Sequence, residues 1–217
     1  MLVTETLSQQ IAESLMNRIA NGALRPGEAL VENRLVDEFG TSQSPVREAL
    51  LMLEHKGFVT RTARRGTCVR RYASTEVTDM YDVRCLLEGY AARKAMQIAP
   101  DRLEERMAGA VVAMKTLVEG NSETPVQEYQ RLNDQLHGAL FEIAGNQTLT
   151  ESYLRVYEPL TALRQMSLLM GGNLYTSLIE HEDMVEATQR RDVGRLLEVL
   201  ENHHRRSVES LLNIITS

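Results

Sequence analysis

From residue 77 to the C-terminus the sequence carries a helical apolar pattern that breaks at only five places, "IAPDR", "EGNSETP", "AGNQT", "MGGN" and "RRDVG". Each break concentrates glycine, proline, asparagine or aspartate, the residues that stop helices. The spans between them predict six long helices, over residues 77–97, 101–119, 124–144, 148–170, 174–190 and 192–215. Such helices have to bury their apolar stripes against one another, so an antiparallel bundle of roughly 140 residues follows, a normal size for one domain. Leucine, alanine, methionine and glutamate are plentiful, tryptophan is absent and aromatics make up 5% of the chain, which favours helix over sheet.

The first 74 residues are organised differently. Leu7, Ile11, Leu15 and Ile19 recur every four residues and predict an amphipathic helix closed by Gly22. "LRPGEAL" supplies a Pro-Gly turn, and a short helix over "ENRLVDEFG" follows, with Leu35, Val36 and Phe39 on one side and Gly40 as its stop. A third helix lies in "TSQSPVREALLMLEHKGF", residues 41–58. Ser42 or Ser44 can cap it, and Pro45 falls in its first turn, where a missing amide hydrogen costs nothing. Val46, Ala49, Leu50 and Leu53 define its buried face, while Gln43, Ser44 and Arg47 present hydrogen-bonding groups at its N-terminal end. A helix joined to its predecessor by the short link "GTSQ" and polar at its start has the geometry of a recognition helix in a helix-turn-helix.

After Gly57 the period changes to alternation, and "FVTRTARRGTCVRR" predicts a hairpin turning at "ARRG", with Gly66 free to take positive φ. Three helices and a basic hairpin make a winged helix, its arginines placed to meet phosphates or a minor groove. "YASTEV" then serves as linker, so the expected domains are a winged helix over 1–74 and an all-helical domain over 75–217.

Charge supports that division. The net charge is −6, yet residues 1–74 hold ten Lys or Arg against eight Asp or Glu, and the remainder holds fourteen against twenty-two. Lys56, Arg61, Arg64, Arg65, Arg70 and Arg71 form a run of six bases without an acid. A basic patch on an acidic protein is the footprint of a DNA-contacting module joined to something else. Cys68 and Cys85 make no spaced metal framework and read as reduced thiols, and no signal or membrane-spanning pattern is visible, so a cytoplasmic protein is expected.

The stretch "LRPGEALVENRLVDEFGTSQSPVREALLMLEHKGFVTRTARRGTCV" resembles the winged helix of the GntR superfamily of bacterial transcription regulators. "VRCLLEGYAARKA", "LNDQLHGALFEIAGN" and "EHEDMVEATQRRDVGRL" are similar to helices of the FCD ligand-binding domain of its FadR subfamily, and six helices suggest the VanR-like branch. The resemblance implies a homodimer that binds a palindromic double-stranded DNA operator and is switched by a small effector, such as an organic or sugar acid. It implies a repressor more readily than an activator. It makes Arg47 a reader of base edges, Arg65 and Gly66 the wing tip, Ser42 and Ser44 backbone contacts, and Asn33, with Arg34 beside it, a further contact. Gln43 replaces the family's usual arginine; glutamine favours adenine where arginine favours guanine.

In the helical domain, Asn133 and His137 are i and i+4 and share a helix face. The resemblance implies that Asn133, His137, His181 and His203 converge on a divalent cation, and three imidazoles with one oxygen donor suit zinc, nickel or manganese. Asp134 is the alternative oxygen donor. Arg84 matches a pocket arginine and is a suitable partner for an anionic effector. Two other readings stay open: a metal-dependent helical enzyme carrying a DNA-binding module, with Glu180, Asp134 or Glu182 as base, and a constitutive DNA-binding dimer with vestigial histidines. No P-loop, GxGxxG, HExxH or nucleophile motif supports the enzyme.

Overall fold

The computed structural model describes residues 5–62, 66–120, 126–169 and 174–216. By their contacts these fall into two compact units, one made of Met1–Ala73 with Glu158–Met170, the other of Ser74–Tyr157 with Gly171–Ser217. The sequence suggested a single cut after residue 74; the contacts additionally group the second half of one long helix with the N-terminal unit.

The first unit contains α1 (Leu7–Ala20), β1 (Ala29–Leu30), α2 (Glu32–Phe39), α3 (Gln43–His55), β2 (Val59–Thr62) and β3 (Gly66–Val69). Thr6 and Gln9 close a reciprocal capping box at the start of α1. Ile11, Leu15 and Ile19 are buried as their spacing predicts, but Leu7 stays 45% exposed. Ser8, one residue on, is the one that turns inward, and its hydroxyl donates to Glu48 Oε2 at 2.6 Å. Gly40 ends α2 in the left-handed region (φ 60°), where a side chain would be strained. Val46, Ala49, Leu50 and Leu53 of α3 are wholly buried against α1. Ser42 is the N-cap of α3, though its side chain makes no capping hydrogen bond.

The hairpin forms as β2–β3, antiparallel, with Val59 opposite Val69 and Thr62 opposite Gly66. The structure adds a third strand that the periodicity does not reveal. β1 pairs antiparallel with β3, Ala29 opposite Cys68 and Leu30 opposite Thr67, giving the order β1-β3-β2. Two residues are too few to show a period, and the pairing depends on a partner nearly forty positions away. The Pro26–Gly27 turn sets it up: Gly27 N–H donates to Val69 O at 2.8 Å, with φ 86°.

The second unit contains α4 (Ser74–Ile98), α5 (Pro100–Gly120), α6 (Val126–Ala144), the first half of α7 (Gln147–Leu169), α8 (Leu174–Gln189) and α9 (Val193–Thr216). These match the six expected helices to within a few residues; the expected start at 124–125 and end at 170 lie outside the described residues. Packing closes a ring in which α4 touches α6, α6 touches α5, α5 touches α8, α8 touches α9, and α9 returns to α4. Leu103, Met107 and Met114 of α5, Leu136 and Leu140 of α6 and Leu196 and Leu200 of α9 fill it. Burying each such side chain stabilises by about 1.5–3 kcal/mol. The same ring admits a set of polar side chains that an apolar interior would exclude unless they were paired.

Candidate metal centre and candidate nucleic-acid interface

His137 on α6, His181 on α8 and His203 on α9 all point into the ring and are almost completely buried. Their ring centroids lie 5.0–5.5 Å apart, and one donor atom from each lies within 4.8 Å of the others. Three helices that are far apart in sequence thus bring three imidazoles together.

Carboxylates fix their orientation. His137 Nδ1 is 2.8 Å from Glu88 Oε2, and His203 Nδ1 is 2.8 Å from Glu180 Oε2. Against an ionised carboxylate an Nδ1 donates, and in a neutral ring that arrangement leaves Nε2 with its lone pair. Among the described residues, His137 Nε2 and both ring nitrogens of His181 are buried and make no hydrogen bond. Orphaned lone pairs in a dry interior are costly unless something binds them. Burial lowers His137 to about 3, despite the opposing pull of Glu88, and burial with the neighbouring histidines lowers His181 well below the usual imidazole range. Both are therefore neutral, the state that ligates a metal. The donor set fits a borderline divalent cation.

Glu88 anchors the other side. Burial alone would raise its carboxyl, but Arg84, His137 and His204 together hold it well below the usual carboxylate range. Arg84 Nε donates to Glu88 Oε1 at 2.7 Å, and His204 Nε2 lies 3.1 Å from Glu88 Oε2. Arg84 is only 1% exposed and lies over the rings of Tyr81 and Tyr157, 5.4 and 5.1 Å from their centroids. Its Nη2 is buried without a hydrogen-bond partner. Glu88, His137 and His204 also form a group whose donors lie within 4.8 Å of one another.

Asn133 sits one helical turn before His137 and is half-buried, while Asp134 is exposed and accepts the hydroxyl of Tyr157. Sequence reading passed over Glu88 and His204 and gave Glu180 a different role. The i, i+4 pair of Arg84 and Glu88 was the available signal: opposite charges meeting on one helix face. Whether that face turns inward depends on the packing of α4 against α6 and α9, helices distant in the chain.

In the first unit, Asn33, Arg34, Ser42, Gln43, Ser44, Arg47 and Gly66 are all exposed. Gly66 takes φ 76° at the start of β3, as a tight hairpin requires, whereas Arg64 and Arg65 lie outside the described residues. Gln43 Nε2 donates to Asn33 Oδ1 at 3.3 Å, linking α3 to α2. Arg47 pairs with Glu32 at 2.8 Å, not with Glu48 or Glu54 of its own helix, and Glu32 also takes Arg61 of β2 at 3.3 Å. Ser44 donates to Glu48 at 3.3 Å.

Residues 7–69 match the family model described as "Bacterial regulatory proteins, gntR family", and residues 79–206 match the one described as "FCD domain". The chain is 28% identical over 206 residues to a probable D-xylose utilization operon transcriptional repressor of Paenarthrobacter nicotinovorans, covering 94% of this chain and 87% of that protein. It is 32% identical over 109 residues to the gluconate operon transcriptional repressor of Bacillus subtilis, covering 50% of this chain and 44% of the repressor. Among solved structures, E. coli McbR/YncC superposes over 97% of this chain and 99% of its own with a TM-score of 0.67 at 17% identity, a likeness of fold. Among the described residues no helix is long and apolar enough to cross a membrane.

Proposed function

This chain belongs to the gntR family of bacterial regulatory proteins and carries an FCD domain, and on that premise we propose that it is a homodimeric, metal-containing repressor released or engaged by a small carboxylate effector. It is a DNA-binding transcription regulator by family; the metal, the effector and the dimer are our reading. The observation that carries the reading is the set of buried, unpartnered nitrogens of His137 and His181 facing His203 inside the helical ring. His137, His181 and His203 would hold the cation, zinc in the first place and nickel or manganese as alternatives, with Asn133 or Asp134 as a further oxygen donor. A bound divalent cation would supply a Lewis-acid anchor for an effector carboxylate.

The chain's own residues supply the rest. Arg84, dry and with Nη2 unpartnered, is poised to take an anion by a charge-assisted hydrogen bond. The rings of Tyr81 and Tyr157 flank its guanidinium, and its burial strengthens such a pairing. In the first unit, Arg47 would read a base edge, Gln43 an adjacent one, and Ser42, Ser44, Asn33, Arg34, Gly66 and Arg65 would set the register on the backbone of a palindromic operator. Effector binding then alters operator affinity through a coupling free energy between two sites, of either sign. The protein is cytoplasmic in this reading.

The experiment combines metal analysis of the purified protein with in vitro selection from random DNA duplexes. Titration of the selected duplex with a panel of small carboxylates follows, with and without chelator. The expected result is about one zinc per chain, a palindromic selected sequence and chelator-sensitive modulation by at least one carboxylate. A metal-free protein whose selected operator binds unchanged throughout the panel would instead be a constitutive DNA-binding dimer.

A further inference from the structure

Two chains of contact in the helical unit repeat one pattern. Arg84 Nε donates to Glu88, and the other oxygen of Glu88 meets His137 Nδ1. Arg206 pairs with one oxygen of Glu180, and the other oxygen of Glu180 meets His203 Nδ1. Each is an Arg–Glu–His relay, built from different helices, that ends on one of the clustered imidazoles. Glu88 is wholly buried and Glu180 is 7% exposed, so neither is a solvating surface charge.

Resting on the metal reading above, we propose that Glu88 and Glu180 are positioning residues. Each locks its histidine in the Nδ1–H tautomer and aims Nε2 at the cation without touching it, and its paired arginine fixes the position of the carboxylate. Free imidazole in water has no such fixed choice of tautomer or ring rotation. A carboxylate behind the ligand removes that freedom before the cation arrives and makes the nitrogen a stronger donor. The third ligand, His181, has no such carboxylate among the described residues, since both its ring nitrogens lack a hydrogen bond. The site is thus preset at two donors and adjustable at the third.

Glu180 is the carboxylate to test, because its arginine can hydrate when released: the Arg206 side chain is 50% exposed, whereas that of Arg84 is 2% exposed. Removing Glu88 would strand a buried guanidinium, a strongly destabilising change. The test measures two quantities on the full-length protein and on Glu180→Ala and Glu180→Gln. One is zinc affinity by competition with a chelating dye; the other is the His203 tautomer in the metal-free protein by long-range nitrogen–proton NMR. Thermal unfolding in excess chelator verifies that each variant is folded. We expect His203 to carry its proton on Nδ1 in the wild type and to lose that preference in Glu180→Ala. Zinc affinity should fall by roughly 10–100-fold in the same variant. Glu180→Gln, which keeps an acceptor but not the charge, should fall between the two. A wild-type His203 protonated on Nε2, or zinc affinity in folded Glu180→Ala within twofold of wild type, overturns the proposal. Absence of zinc binding by the wild type with the Nδ1–H tautomer intact would remove the metal reading itself, and with it the positioning role.

Discussion

Arg47 on α3 and Glu32 at the start of α2 form an ion pair, Nε to Oε2 at 2.8 Å, and the second oxygen of Glu32 lies 3.3 Å from Arg61 on β2. One carboxylate therefore holds the proposed base-reading arginine and a wing arginine at once. The side chain of Arg47 is 56% exposed, so the pair is weak, worth about 0.2–1 kcal/mol, and breaks readily when a guanine edge or phosphate competes.

Arg47→Ala removes the side chain proposed to discriminate a base. Affinity for the selected duplex should drop by about 1–3 kcal/mol, with binding to a scrambled duplex nearly unchanged. Fluorescence anisotropy on both duplexes measures this, and equal losses on the two would disqualify Arg47 as a reader.

Glu32→Gln frees two arginines and deletes an anion beside the proposed DNA path. Binding to scrambled duplex should tighten by about two- to tenfold at low salt, and discrimination should narrow accordingly. Weaker non-specific binding in this variant would mean that Glu32 makes a contact of its own with DNA.

Zinc added to the chelator-treated protein at about 100 times its dissociation constant should stabilise it by about 2.7 kcal/mol. For a chain of this size that is a rise of roughly 5–10 °C in unfolding temperature. His181→Ala should abolish the rise; differential scanning fluorimetry with and without zinc decides, and a full rise in that variant would exclude His181 as a ligand.

The metal-free protein should lose stability on acidification in a defined window. Burial holds His137 at about 3 and His181 well below its ordinary value, so both fold neutral, while in the unfolded chain they take up protons below about pH 6.5. The unfolded state then binds more protons, and stability that is complete above pH 6.5 declines as pH falls toward the folded values, by about 1.4 kcal/mol per group per pH unit. Glu88, held well below its ordinary value chiefly by Arg84 against the upward push of burial, adds a second loss below about pH 4.5. Urea unfolding at pH 7.5, 6.5 and 5.5 in chelator tests the sign; a flat or rising profile would contradict it.

Gly57→Ala probes the first unit independently of any ligand. Gly57 has φ 81°, and a Cβ there would lie 2.6 Å from the carbonyl oxygen of Pro159 and 2.6 Å from the Tyr72 hydroxyl. That hydroxyl bridges the carbonyl oxygens of Gly57 and Pro159 at 2.7 Å each. The strain and the clash together should cost about 1–3 kcal/mol, read as a lower urea midpoint, and an unchanged midpoint would show that the backbone relaxes there freely.

What the sequence determined by itself was local. Gly40 stops α2 because only a residue without Cβ takes its left-handed φ cheaply, and Val46, Ala49, Leu50 and Leu53 share a face because 3.6 residues make a turn. The six long helices were legible for the same reason, and the histidines were legible only through a resemblance that spans the whole motif. Tertiary structure decided the partnerships. His203 and His204 are neighbours about 100° apart around α9, yet both are buried, and their spacing could not say that one would meet Glu180 and the other Glu88. Nor could it say that Arg47 would reach across to Glu32, that two residues at Ala29–Leu30 would complete a sheet, or that α7 would divide between two units. Periodicity fixes which side of a helix is apolar. The rotation and depth at which helices meet, and so which polar groups face each other in the dry interior, are set by packing among segments distant in the chain.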